Sequence, residues 1–154
     1  MEIKINNPIS SDDIIKGRDG ISSLKRGDIQ IWSVSLDADE TMRASCLNAL
    51  GESGRERIAF FKLKQVQESY IISQGGLRLL LAYYLGINTD KVAVGRMSKG
   101  KPFSIDNPNL RFNMSNSGRR VVYAFSMDEE LGIDIERLRA MSDLDELIKK
   151  NYNA

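Results

Sequence analysis

The sequence has little of several features that mark common classes of protein. Its 154 residues include three prolines, one cysteine and no histidine. A single cysteine cannot form an intramolecular disulfide, and Cys46 recurs with Met42, Leu47 and Leu50 in an apolar pattern, which predicts a buried thiol. The 22 basic and 21 acidic residues leave a net charge of +1. The composition therefore gives no bulk electrostatic reason to bind nucleic acid or an anionic membrane.

The chain also lacks a long apolar segment. Its N-terminus, Met1-Glu2-Ile3-Lys4, has no continuous apolar core of the kind found in a signal peptide. The longest apolar stretch, from Leu79 to Leu85, is far too short to span a bilayer. We therefore expect no membrane partner and, by default, a cytoplasmic protein. No repeat or linker divides the chain, and 42% hydrophobic residues suffice for the core of one domain.

Apolar periodicity predicts several helices. One is expected from Asp37 to Leu50, where Gly51 stops it, and a second from Arg55 with Ser53 as its cap. A long core helix has three-to-four spacing through Val66, Tyr70, Leu77, Leu81 and Tyr84. It contains Gly75-Gly76, which is explained either by close approach of another group or by local irregularity. A last helix is predicted after Ser142.

The remaining pattern predicts an α+β fold. Residues 1–28 show little periodicity and are expected to form an irregular arm before a core strand around Trp32. Four further strands, near residues 92–96, 110–115, 119–126 and 131–136, are expected to form an antiparallel sheet. We expect this sheet to pack against the long helix in a single domain over residues 1–154.

The run from Leu131 to Glu136 carries two acids at alternating positions. In an extended strand residues i and i+2 project from the same face, so Asp134 and Glu136 point the same way. Adjacent carboxylates repel each other, and Mg²⁺ commonly takes one or two protein carboxylates together with water and substrate phosphates. The alternative is an ordinary half-buried strand whose acids face solvent. Taken by itself, this motif favours the alternative.

Upstream, Leu110–Ser115, the turn residues 116–118 and Val121–Phe125 together predict a hairpin. Its tip is expected to present the Ser115 hydroxyl and the Asn116 amide, flanked by arginines. Such a tip suits an anionic ligand, although it is also a plain polar turn. Lys101 lies in a Gly-Lys-Pro turn, where it is either a point charge for a phosphate or a solvated loop residue.

Taken in order, three segments resemble the larger, surfactin-synthetase type of 4'-phosphopantetheinyl transferase. The segments are Gly100-Lys101-Pro102-Phe103, Phe112-Asn113-Met114-Ser115-Asn116-Ser117-Gly118 and Gly132-Ile133-Asp134-Ile135-Glu136. Their spacing matches the family pattern, and so does the preceding helical stretch from Arg57 to Gly86. The resemblance covers about Ile31 to the end of the chain. It implies one pseudo-repeat half of that fold, the N-terminal half of a transferase.

The resemblance further implies Mg²⁺-dependent transfer of the 4'-phosphopantetheine arm of coenzyme A to a serine of an acyl or peptidyl carrier protein. Such a transfer depends on positioning and charge neutralisation more than on covalent help from the protein. By position, the resemblance gives Asp134 and Glu136 as the metal ligands and Lys101, Ser115 and Asn116 as contacts to the phosphates of the coenzyme. Lys64, which lies earlier in the long helix than the family's basic position, is a further candidate for the coenzyme.

The chain departs from the family pattern in three respects. Ser69 stands at a helix position where the family often carries a basic residue. Asn116 stands where the family usually has histidine, and an amide lacks the charge assistance that roughly doubles the strength of a hydrogen bond. The Trp-x-x-Lys-Glu-Ala helix that completes the site in two-domain members does not occur. We therefore expect half of a site that is inactive alone, with a missing C-terminal half or self-association as its partner. Self-association is not expected to complete the site, because a homo-oligomer contains only the residues of this chain. The alternatives are a noncatalytic module that binds coenzyme A or a carrier protein, and an unrelated structural domain.

Overall fold

The computed structural model describes residues 2–6 and 24–138. Six strands and three helices are present in these ranges. The strands are β1 (Ile3–Asn6), β2 (Ile29–Ser35), β3 (Val94–Arg96), β4 (Pro102–Ser104), β5 (Leu110–Ser117) and β6 (Arg120–Met127). The helices are α1 (Glu40–Ala49), α2 (Gly51–Ile58) and α3 (Lys64–Leu85), and a short 3-10 turn covers Thr89–Lys91. The predicted helix after Ser142 lies outside the described residues.

The main sheet has the strand order β1-β2-β6-β5. β1 pairs with β2 in parallel, whereas the β2–β6 and β6–β5 pairs are antiparallel. The α+β class is confirmed, but the expected all-antiparallel sheet is wrong, because the sheet is mixed. The irregular arm expected over residues 1–28 contains a strand. This strand has only four residues, and its two isoleucines, Ile3 and Ile5, are exposed and do not contribute to the core.

Two of the strands that were predicted for the main sheet are not part of it. β3 pairs only with β4, in a separate two-stranded antiparallel sheet. Residues 131–136 form no strand, although their pattern alternates. The core strand predicted around Trp32 is confirmed as β2, and the predicted hairpin is confirmed as β5 and β6. Short alternating runs thus identified extended backbone but not its pairing partner.

The helices begin and end close to their predicted positions, with one exception. The Asp39 carboxylate caps α1 by accepting a hydrogen bond from the Met42 N–H at 2.7 Å. α2 begins at Gly51, four residues before the predicted start at Arg55, and Ser53 is not its cap. Gly86, at φ +65°, ends α3 in a left-handed conformation. No helix in the described ranges is long and apolar enough to cross a membrane.

The long helix α3 packs between the sheet and α1, and its glycine pair makes this possible. A Cβ on Gly75 would lie 2.2 Å from the backbone oxygen of Cys46 in α1, and one on Gly76 would lie 2.6 Å from the Tyr123 hydroxyl in β6. Close approach therefore accounts for both glycines. Cys46 is fully buried there, as predicted, and burial raises the pKa of its thiol to about 12.

The helix side of the sheet is the core of the protein. The fully buried residues Tyr84, Tyr123 and Phe125 lie at the contact of α3 with β6. The Trp32 indole N–H donates to the Tyr84 hydroxyl at 2.8 Å, and this hydroxyl donates to the Gln30 side-chain oxygen at 2.7 Å. Because these polar groups of Trp32, Tyr84 and Gln30 are paired with one another, burying them incurs little desolvation cost.

Candidate functional site

The acidic segment runs beside β5 without joining the sheet. From Leu131 to Glu136 the side chains alternate between half-buried and exposed, with Asp134 and Glu136 both exposed. The segment follows β5 in the same direction, since the Ile135 N–H donates to the Ser115 hydroxyl at 3.3 Å and the Arg137 N–H donates to the Ser117 hydroxyl at 3.1 Å. Serine hydroxyls thus replace the backbone carbonyls of a sheet ladder. This substitution explains why the segment is extended but is not a strand.

Ser115 also fixes one of the two acids. Its hydroxyl donates to Asp134 Oδ1 at 2.7 Å, and the same oxygen accepts from the Ile135 N–H at 3.0 Å. A carboxylate held by two donors has a restricted orientation, which is how outer partners commonly position a metal ligand. The structure therefore brings together Ser115 and Asp134, which belong to two separate sequence motifs. Glu136 lies two residues farther along the same exposed side.

The donor set of this segment suits a hard cation. Two exposed carboxylates on one side of an extended backbone match the one or two that Mg²⁺ usually takes from a protein. Within residues 2–6 and 24–138, however, no group of three acids, histidines or cysteines is placed to hold a metal. Glu68 is not available, because Arg43 binds both of its oxygens, at 2.6 and 2.9 Å, and lowers its pKa. The metal role of Asp134 and Glu136 stays a prediction.

The predicted hairpin tip is wrong in one respect that matters for the site. β5 continues to Ser117, so Ser115 and Asn116 lie within the strand and the turn falls at Gly118 and Arg119. Consecutive strand residues project to opposite sides of a sheet. Ser115 therefore faces the acidic segment, whereas Asn116 lies on the helix side with Met114. The contacts of Ser115 and Asn116 to the phosphates of the coenzyme stay a prediction.

Lys101 lies at the start of the acidic segment. Its ammonium donates to Glu130 Oε2 at 2.7 Å and to the Leu131 carbonyl at 3.2 Å. Arg111 Nη1 lies 3.1 Å from the other oxygen of the same Glu130 carboxylate. The hydrogen bond from Lys101, followed by its charge and that of Arg111, lowers the pKa of Glu130. Lys101 thus links the Gly-Lys-Pro turn to the acidic segment.

Lys64 is the first residue of α3 and is exposed. It lies one turn from Glu68 and adds to the lowering of the pKa of that carboxyl. No hydrogen bond or lining contact connects Lys64 with the other predicted site residues in the described part of the chain. Its predicted contact with a coenzyme therefore stays a prediction.

A cavity of about 260 Å³ opens on the helix side of the protein. It lies between α2, α3 and the small β3–β4 sheet, and its polar lining residues are Ser53, Arg57, Tyr70, Gln74, Arg78 and Arg96. Pro102, next to Lys101, also lines it. Three guanidinium groups around one cavity favour an anionic ligand.

The three arginines of the cavity differ in what they have left to bind. Arg78 donates to the carbonyls of Ala49, Thr89 and Val92, so its role is structural, and burial lowers its pKa. Arg57 lies over the Tyr70 ring with 6.0 Å from its guanidinium carbon to the ring centroid. This ring contact uses the face of the Arg57 guanidinium and not its N–H donors.

Arg96 is exposed, and its Nη1 donates to the Gly100 carbonyl at 3.1 Å. Neither Arg57 nor Arg96 belongs to the sequence motifs that predicted the site residues. They are 39 positions apart, and no local motif connects them. Only the packing of α2 beside β3 brings them to one cavity. The sequence showed only that Arg57 lies at the start of the helical stretch and that Arg96 lies shortly before the Gly-Lys-Pro turn.

Comparison with known proteins gives a consistent result. The chain matches the family model described as "4'-phosphopantetheinyl transferase, N-terminal" over residues 36–128. It is 29% identical over 133 residues to the 4'-phosphopantetheinyl transferase HetI of Nostoc sp., an alignment that covers 84% of this chain and 56% of the relative. It is 28% identical over 107 residues to the 4'-phosphopantetheinyl transferase ffp of Bacillus subtilis, covering 70% and 46%.

A mammalian relative is also similar. The L-aminoadipate-semialdehyde dehydrogenase-phosphopantetheinyl transferase of Mus musculus is 33% identical over 112 residues, covering 68% of this chain and 36% of the relative. The chain therefore spans about half the length of these curated relatives, or less.

Proposed function

The chain belongs to the 4'-phosphopantetheinyl transferase family, and we propose that it supplies the N-terminal half of a site that transfers 4'-phosphopantetheine from coenzyme A to a serine of an acyl or peptidyl carrier protein. One observation carries the proposal. The three sequence motifs meet in space: Ser115 binds Asp134, and Lys101 binds the Leu131 carbonyl at the start of the acidic segment. Motifs that come together in the fold are the expected arrangement for one site.

In this proposal Asp134 and Glu136 hold Mg²⁺, and Ser115 orients Asp134. The ion, when bound, neutralises charge that develops on the pyrophosphate of the coenzyme. The protein's own part is to position the ligand and keep it in place, because phosphoryl-type transfer needs little covalent chemistry from side chains.

The cavity between α2, α3 and β3 is the proposed site for the anionic nucleotide end of coenzyme A. Arg57 and Arg96 supply charge, and the Tyr70 ring supplies an aromatic surface. Pro102 lines this cavity and is adjacent to Lys101, so a ligand that fills the cavity can extend toward Lys101 and the acidic segment. The proposed site thus has a basic end at the cavity and an acidic end at Asp134 and Glu136.

A noncatalytic binding module is the second candidate, and one observation favours it. The described residues supply two carboxylates for the metal and no third ligand. Under the first candidate, the third ligand and the group near the reacting atoms come from a C-terminal half. Under the second candidate, adding a C-terminal half does not produce transfer of phosphopantetheine.

Two measurements test these candidates. Calorimetric titration with coenzyme A, with and without Mg²⁺, is expected to show Mg²⁺-dependent binding that Asp134→Asn and Glu136→Gln weaken. Glu129→Gln, a nearby exposed acid, is the matched control. Unchanged binding in both site variants would remove the metal role.

The second measurement is mass spectrometry of an apo carrier protein incubated with coenzyme A and Mg²⁺. We expect no phosphopantetheine mass shift with this chain alone and a shift when a C-terminal half is added in trans. A shift with the chain alone contradicts the half-site proposal. Coenzyme A binding without a shift in either mixture supports the noncatalytic module.

A further inference from the structure

A three-residue charge cluster joins the β4 side of the protein to the acidic segment. Glu130 lies between Lys101 and Arg111, with one carboxylate oxygen 2.7 Å from the ammonium and the other 3.1 Å from the guanidinium. Both cations are about one-third exposed, and Glu130 is 58% exposed. The two cations therefore share one negative group at the protein surface.

The cluster is built differently from the Arg43–Glu68 pair, which also joins distant elements. Arg43 binds Glu68 through Nε and Nη2, the two-pronged geometry that gives the strongest pairs. Arg111 reaches Glu130 through Nη1 alone, and its buried Nε has no hydrogen-bond partner in the described part of the chain. A buried donor without a partner is unusual in a native structure. The binding capacity of Arg111 is thus only partly used.

We propose that Lys101 and Arg111 form a binding site for a phosphate group, and that Glu130 occupies it until a phosphate displaces its carboxylate. The proposal rests on the proposed function, since it assigns Arg111 as a further contact for the phosphates of coenzyme A. Glu130 then sets the affinity of the site by competing with the ligand.

The competition follows from the charges and the exposure. A bound phosphate within reach of both cations lies close to the Glu130 carboxylate, and two anions in one place repel each other. Glu130 is the more exposed member of the cluster, and an exposed ion pair contributes little stability. Glu130 can therefore move to solvent at low cost, whereas a phosphate offers more charge and more acceptor oxygens to both cations.

The test compares Glu130→Gln with Glu129→Gln in the 154-residue chain. Glutamine keeps the size of the side chain and removes the competing charge, and Glu129 is an adjacent exposed acid outside the cluster. Isothermal titration with inorganic pyrophosphate at low ionic strength is expected to show about fivefold tighter binding in Glu130→Gln, the effect of releasing one exposed ion pair. Glu129→Gln is expected to bind like the unmodified chain.

Two further variants assign the effect to the proposed contacts. Adding Arg111→Gln or Lys101→Gln to Glu130→Gln is expected to abolish the gain. A thermal melt of Glu130→Gln separates competition from a structural role, because a structural ion pair predicts a lower melting temperature and no gain in affinity. Equal or weaker pyrophosphate binding in Glu130→Gln, or no binding by either protein, overturns the proposal.

The same titration with coenzyme A separates this inference from the proposed function. Tighter pyrophosphate binding by Glu130→Gln without coenzyme A binding supports the phosphate site and contradicts the proposed function. Coenzyme A binding that is equal in all variants, with no gain for pyrophosphate, supports the proposed function and contradicts the role of Glu130.

Discussion

Gly75 in α3 gives the sharpest test of the packing that positions the candidate site. In an ordinary helix, Gly→Ala stabilises by about 1 kcal/mol. Here a Cβ at residue 75 would lie 2.2 Å from the Cys46 oxygen, well inside the 3.4 Å at which ordinary contact begins. The two helices must therefore separate by roughly 1 Å, since backbone atoms cannot rotate away as a side chain can. Overpacking of this kind costs about 1–3 kcal/mol and occasionally more.

We expect Gly75→Ala to lower the free energy of unfolding by about 2 kcal/mol, despite the better helix propensity of alanine. Urea denaturation followed by far-UV circular dichroism measures this change. Because α3 carries Tyr70 and Gln74 of the cavity, the variant should also bind coenzyme A more weakly.

Gly76→Ala is the matched control. Its obstacle is the hydroxyl of Tyr123, at 2.6 Å, and Tyr123→Phe removes that hydroxyl. Gly76→Ala should therefore be destabilising alone and less so in the Tyr123→Phe background, whereas Gly75→Ala should gain nothing from it. A Gly75→Ala variant as stable as the unmodified chain would refute the close-contact explanation.

Three further predictions concern single groups. Arg43 lowers the pKa of Glu68, so the ion pair stabilises the fold above the unfolded pKa of about 4.3 and this stability is lost as the pH falls through the lower, folded pKa. Glu68→Gln should therefore lower the free energy of unfolding by about 1 kcal/mol near pH 7 and make stability depend less on pH in the acid range. An unchanged stability–pH curve would contradict this. With a thiol pKa of about 12, Cys46 should resist iodoacetamide at pH 8 until the chain is unfolded, and rapid native labelling by mass spectrometry would contradict its burial. Asn116→His should strengthen coenzyme A binding below about pH 6.5, where an imidazole is largely protonated; a similar gain for dephospho-coenzyme A would exclude a contact with the 3'-phosphate.

The sequence by itself predicted the elements that depend on neighbouring residues. The three-to-four spacing of apolar residues predicted α3, and the acidic first turn predicted the start of α1 to within three residues. The hairpin of β5 and β6 followed from alternation and turn residues. The ordered motifs also predicted the family, because they consist of residue types suited to one ligand chemistry and do not depend on which strands pair. The match to the family model confirms this prediction.

Only the tertiary structure decided which elements meet. Alternation in residues 131–136 predicted extended backbone correctly, but serine hydroxyls of β5 take its amides and keep it out of the sheet. The sequence likewise did not predict the parallel pairing of β1 or the separate β3–β4 sheet, because strand pairing depends on residues far apart in the chain. The cavity between α2, α3 and the β3–β4 sheet was not predicted for the same reason, because its lining residues come from separate segments of the chain.

The candidate site divides in the same way. Asp134, Ser115 and Lys101 carried recognisable motifs, and Arg111 was one of the arginines expected to flank the hairpin tip. Arg57 and Arg96 had no such signal, because an arginine on a short strand or helix looks like any solvated residue until its neighbours are known. Strand register placed Ser115 and Asn116 on opposite sides of the sheet, although they are adjacent in sequence. Residue type fixes what a side chain can bind, and long-range packing fixes which side chains share a ligand.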